Sequence, residues 1–108
     1  VVTKNVILDR IEIVYRMEDD GNRYPHVQAR GKVEVLEDGV SLGTLGSFRF
    51  NAKSPDQDAG DQPDAPMGKE KIPVPQEIKD ILRATQAVHV TPAVKAAYEK
   101  TKTEKEAR

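Results

Sequence analysis

Ile7-Leu8-Asp9-Arg10-Ile11-Glu12-Ile13-Val14-Tyr15-Arg16-Met17 is the stretch that decides the fold. Its odd positions Ile7, Ile11, Ile13, Tyr15 and Met17 are apolar, and Arg10, Glu12 and Arg16 fall between them. A period of two belongs to a strand with one buried face. The cluster Glu18-Asp19-Asp20-Gly21-Asn22 that follows is turn chemistry, because Gly and Asn tolerate positive φ, and it returns the chain as a hairpin.

The returning strand places Val27, Ala29, Gly31, Val33 and Val35 on one face and Gln28, Arg30, Lys32 and Glu34 on the other, with Gly31 as a bulge candidate. Glu37-Asp38-Gly39 is a second tight turn. A third strand runs through Val40, Leu42, Phe48 and Phe50, broken or bulged at Gly43 and Gly46. Three strands joined by tight turns predict an antiparallel meander with one face awaiting cover.

Cover comes from the C-terminal part. Residues 53–68 hold three Pro, two Gly and four Asp and almost nothing apolar, which predicts a long exposed connection. After Pro75 the period changes, and Ile78, Ile81, Leu82 and Thr85 recur on one helical stripe. Val88-His89-Val90 reads as a short extended connector, and Thr91-Pro92 as the cap and first turn of a second helix with the stripe Val94, Ala97, Tyr98 and Thr101. From Glu99 to Arg108 the sequence is polar all round, which predicts a fraying end; if this tail is an assembly contact, removing residues 100–108 leaves stability nearly unchanged while weakening association. The fold class is therefore α+β. It is one domain, with a meander over 1–52, an acidic Pro/Gly loop over 53–71 and a helical part with a charged tail over 72–108.

Composition narrows the functions. A chain of 108 residues has no room for separate cofactor and substrate domains. Its net charge of -1 provides no global field toward nucleic acid or an anionic membrane. Zero Cys removes disulfides, thiol nucleophiles and Cys-based zinc sites, and fits a reducing compartment. No apolar run approaches the roughly 20 residues of a membrane span. The start has no secretory pattern, and Val1 reads as a mature intracellular start left by removal of an initiator Met.

Chemistry-bearing groups are few. Asp56, Asp58, Asp61 and Asp64 resemble the opening of a calcium loop, but Gly60 falls one place early and no Glu closes twelve residues, so the cluster reads as a solvated acidic loop. His26 and His89 lie on different segments without a neighbouring nucleophile. Gly43-Thr44-Leu45-Gly46 lacks the elements of a phosphate cradle. Arg10, Arg16, Arg30, Lys32 and Arg49 gather on the outer sheet face, yet Glu12 and Glu34 interrupt them and aromatics are scarce, which disfavours nucleic acid as a partner. The expectation is a protein with no enzymatic activity, cofactor or metal. Its contacts are assigned to strand edges, the acidic loop through Asp56, Asp58, Asp61 and Asp64, and the last helix through Tyr98, Lys102, Lys105 and Arg108.

The run Val6-Ile-Leu-Asp-Arg-Ile-Glu-Ile-Val-Tyr-Arg-Met-Glu-Asp-Asp-Gly21, then Tyr24-Pro-His-Val-Gln-Ala-Arg-Gly-Lys-Val-Glu-Val35, Phe48-Arg-Phe50 and Thr91-Pro-Ala-Val-Lys-Ala-Ala-Tyr98 resembles small uncharacterised proteins encoded among the virion genes of tailed bacteriophages. The resemblance implies an accessory structural role in the head, neck or tail. It places the protein in the virion, among other virion proteins or copies of itself. The alternative is a small regulatory or inhibitory binder of a host factor, with the acidic loop as a phosphate mimic.

Overall fold

The structure, a computed structural model, describes residues 1–62, 64–67 and 70–107. In chain order the elements are β1 (Val2–Met17), β2 (Arg23–Glu37), β3 (Val40–Lys53), β4 (Ala65–Met67), β5 (Glu70–Ile72), α1 (Gln76–His89) and α2 (Pro92–Glu106). The first three strands form the antiparallel sheet β1-β2-β3, and β4 pairs with β5 in a separate small hairpin. The α+β meander followed by two helices thus stands. The β4–β5 hairpin inside the connecting segment is an addition, and its three-residue strands are too short to show a period of two.

Both turns follow from their residues. Gly21 has φ 83°, and its N–H donates to the Glu18 carbonyl at 3.0 Å. Asp38 and Gly39 have φ 50° and 83°, the paired positive values of a type I′ hairpin turn, whose twist matches that of the strands it joins.

The core-facing set on β1 differs from the odd-numbered row that the alternation predicts. Pairing with β2 shifts between Leu8, opposite Gly31, and Arg10, opposite Arg30, so Asp9 is a bulge. One inserted residue exchanges the faces. Val6 and Leu8 therefore face the core before the bulge, Ile11 and Ile13 after it, and Ile7 does not. Tyr15 and Met17 continue the odd row but lie past the core, 56% and 61% exposed. On β2 the expected face holds: Val27, Ala29 and Val33 are buried. On β3 the register shifts opposite Val33 and opposite Val35, beside Gly46 and Gly43 with φ 79° and 117°.

Helix α1 lies on that face. It starts after Pro75, whose carbonyl accepts from the Ile78 and Lys79 N–H groups. Ile78, Leu82 and Gln86 are its buried stripe, spaced by four, while Ile81 lies at the margin. Together with Ala59, Ile72 and Val74 they close the core over Val6, Val27, Ala29, Val33 and Phe50. The expected extended connector at 88–90 is instead the end of α1, which runs through His89. Helix propensity differs by only a few tenths of a kcal/mol for Val, and that does not outweigh the docking of the buried Val90 just beyond. Helix α2 begins as expected, with the Thr91 hydroxyl accepting from the Val94 N–H at 3.3 Å and Pro92 in the first turn.

The molecule is elongated, 54 × 27 × 17 Å, with a radius of gyration of 16.7 Å against about 13 Å for a compact chain of this length. The cause is a mismatch of lengths. A strand of 16 residues spans about 50 Å, whereas the 14 residues of α1 span about 21 Å. One helix covers less than half the sheet.

Candidate protein-contact surfaces

The acidic loop and the charged helix are bound to the protein itself. Asp56 accepts a hydrogen bond from Lys102 Nζ at 2.9 Å and from the Ser54 hydroxyl at 2.6 Å. The hydroxyl first, then the ammonium, holds its carboxyl below the usual range, and Lys102 is raised in return. Asp58 accepts from the Gly60 N–H at 2.8 Å and from Arg83 Nε at 3.1 Å, and its pKa is lowered by the two in that order. Pro55, Ala59, Gly60 and Gln62 are buried, and the Gln86 side chain of α1 accepts from the Ala59 N–H at 2.9 Å. The connection is thus a packed structure in which small residues replace large apolar ones. Asp61 and Asp64 are exposed. Asp56 and Asp58 serve different cations, and no three His, Asp or Glu side chains converge among the described residues.

The last helix docks by polar contacts. The Thr101 hydroxyl is buried and donates to Asp20 at 2.7 Å, and the Tyr24 hydroxyl donates to the same carboxylate oxygen. These two hydroxyls, then the Asn22 N–H, hold Asp20 far below the ordinary carboxylate range. Lys105 lies 3.8 Å from Asp19 in the same turn. Tyr98 sets its ring edge-on to Tyr24 at 5.6 Å and to His26 at 6.1 Å. By strand alternation Tyr24 and His26 point away from α1, so α2 covers the opposite face at the Glu18–Asn22 end. Arg108 lies outside the described residues.

His26 is 6% exposed, with Nε2 lacking a hydrogen-bond partner among the described residues. Burial, aided by the Arg16 charge, lowers its pKa, so it sits as a neutral packing group under Tyr98. His89 is exposed at the end of α1.

The outer sheet face carries a row of cations. Arg10, Arg30 and Arg49 are direct cross-strand neighbours on β1, β2 and β3. Glu12 offsets them, lying 2.9 Å from Arg10 and 3.1 Å from Arg30 and accepting from Gln28. The Gln28 amide first, then Arg30, lowers the Glu12 pKa. Lys32 lies 3.6 Å from Asp9. The patch is thus neutralised along most of its length.

The end of the sheet beyond α1, around the Asp38-Gly39 turn, has a different character. Val2, Glu37 and Val40 form one cross-strand row, and Lys4, Val35 and Gly43 the next, both continuing the core face past Val6 and Val33. Val2 is 58% exposed, Val40 66%, Leu42 62% and Leu45 46%. Below them Lys4 pairs with Glu70, which marks where cover by β5 stops. This is a three-stranded arm with an uncovered apolar face. The composition gave no hint of it, since Val and Leu here read as an ordinary strand; the signal was the excess of strand length over helix length.

The fold and its surfaces define a small α+β protein with exposed aliphatic side chains on a projecting end of its sheet. No family model, curated protein or solved structure matches the chain.

Proposed function

We propose that the chain is a non-enzymatic structural component acting through protein–protein contacts, seated in the head, neck or tail of a tailed-phage particle as its resemblance implies. The observation that carries the contact reading is the arm. Four exposed aliphatic side chains at one end of the sheet, of which Val2 and Val40 continue the core face beyond the only helix packed on that face among the described residues, are the signature of a surface completed by another protein. The loop and the last helix contribute less, because Asp56, Asp58, Lys102 and Lys105 already face opposite charges of their own chain. Their part is to fix the sheet from which the arm projects.

The experiment is Val40→Ser with Leu42→Asp. Both sites are exposed, so stability stays within about 0.5 kcal/mol of wild type. Incorporation into purified particles, read by mass spectrometry, falls. A variant incorporated at the wild-type level removes the arm from the reading, and a wild-type protein absent from particles shifts it to the binder of a host factor.

A further inference from the structure

Strand β1 is an edge of the sheet, and β2 is its only pairing partner among the described residues. From Arg10 to Met17 it is free of bulges, with alternating charge on its outer face and a core-side row, Ile11, Ile13, Tyr15 and Met17, that runs out of cover. An unpaired edge of this length is a template for another strand unless it is blocked. No Pro lies within it, and its one bulge, at Asp9, comes before Arg10.

Charge tells which strand fits. Two copies of one edge pair antiparallel about a two-fold axis perpendicular to the sheet, so each residue faces the one that mirrors it across the axis. With the axis through Val14, Arg10 faces Glu18 of the second copy and Glu12 faces Arg16. By symmetry each pair occurs twice. On the other face Ile11 meets Met17 and Ile13 meets Tyr15, which covers the two apolar side chains left bare at this end of β1. Neighbouring registers fail. Through Ile13, Arg10 faces Arg16; through Glu12 or Arg16, a charge faces itself; through Tyr15, Glu12 faces Glu18. Like charges directly opposite are destabilising, so of the registers centred on residues 12–16 only the one through Val14 leaves residues 10–18 free of such a contact.

We infer that the chain forms a two-fold dimer in which β1 adds antiparallel to β1 of a second copy, centred on Val14, giving a continuous six-stranded sheet. This rests on the reading of the chain as a contact protein but uses an edge distinct from the arm, which the dimer leaves free for a different partner.

Sedimentation of the full chain tests it. The wild type is a dimer whose dissociation constant rises with salt. Arg16→Glu places two Glu–Glu contacts across the axis and weakens association about tenfold or more. The chain has no Cys, so Val14→Cys introduces a single thiol facing its own copy, where antiparallel Cα spacing of about 4.5–5.5 Å suits a disulfide. Oxidation yields a covalent dimer, whereas Leu42→Cys does not. A wild type still monomeric at about 0.1 mM, far above a micromolar dissociation constant, overturns the inference. So does a dimer indifferent to Arg16→Glu that cross-links through Leu42→Cys. A monomer that enters particles through its arm overturns the dimer alone; a Val14-linked dimer absent from particles overturns the particle role alone.

Discussion

Replacing Gly31 by Ala separates two kinds of close approach. Gly31 sits on the middle strand between Leu8 of β1 and Phe48 of β3. A Cβ there would lie 2.8 Å from the Ile7 carbonyl oxygen and 3.5 Å from the Phe50 ring. The first contact is backbone in a paired strand next to the Asp9 bulge, so relief requires moving β1 against β2. Overpacking of this kind costs about 1–3 kcal/mol. Against it stands a gain of about 0.5–1 kcal/mol from the smaller unfolded-state freedom of Ala. The midpoints leave a net loss of about 1 kcal/mol, a fall in melting temperature of roughly 4–8 °C for a domain of this size. Gly60→Ala is the control. Its Cβ would meet Arg83 Cγ and Nε, each at 2.5 Å, which is closer still, but these atoms belong to a flexible, half-exposed side chain. Arg83 swings away and surrenders an exposed ion pair with Asp58 worth about 0–1 kcal/mol, which the backbone gain offsets. Urea denaturation of both variants provides the comparison. A Gly31→Ala protein as stable as wild type, or a Gly60→Ala protein that loses more, would refute the reasoning.

Ending the chain at Lys100 removes Thr101, Lys102 and Lys105 and with them three of the ties between α2 and the rest of the protein. The sequence expectation of unchanged stability is thereby revised. The melting temperature falls, and the helical circular dichroism drops by more than the deleted residues supply; an unchanged melting curve would restore the picture of a fraying tail. His26 makes stability pH-dependent in a definite sense. Its folded pKa is depressed below the ordinary value of 6.5 by burial, so its contribution is fully present above 6.5 and is lost as pH falls through the folded value. Denaturation midpoints measured downward from pH 7 decline, and His26→Phe flattens that part of the slope; an unaltered slope in the variant sinks the assignment.

Much of the fold was legible because it rests on local chemistry. The Asp38-Gly39 turn, the Thr91-Pro92 helix start and the Val27–Val33 face each depend on residues a few positions apart. The misses depend on residues far apart. Asp9 and Arg10 are two consecutive polar residues in an alternating run, a visible sign of a bulge, but which of them is extruded is settled by pairing with Arg30 and Gly31 on β2. The acidic loop reads as solvated because Ala59, Gly60 and Gln62 carry no apolar bulk. Gln86 and Arg83 on α1 close over Ala59 and Gly60, and Gln62 donates to the Ala59 carbonyl. The docking of α2 was hidden for a similar reason: Thr101 is a weak hydrophobe, and it is buried because Asp20 and Tyr24, some eighty positions earlier, present a carboxylate and a hydroxyl.

The two ends of the long sheet are consequently held by different forces. At the Glu18–Asn22 end, α2 supplies aromatic edges and hydroxyls, so the strands there have side-chain partners as well as each other. At the Asp38-Gly39 end the strands are held, among the described residues, by their ladder, a tight turn, a hydrogen bond from the Ser41 hydroxyl to Glu34, an ion pair between the Val1 amino group and Asp38, and one between Lys4 and Glu70. An isolated hairpin is marginally stable in water, and a third strand helps chiefly when its apolar face is covered. The breaks in pairing beside Gly43 and Gly46 weaken the ladder of β3 with β2 further. The arm is therefore the least stable part of the sheet and the part with most to gain from a partner. Covering Val2, Val40, Leu42 and Leu45 would bury apolar surface and tighten a ladder that the isolated chain maintains alone. A contact there is thus coupled to the order of the arm, whereas a contact along β1 between Arg10 and Met17 meets a straight edge already held by β2.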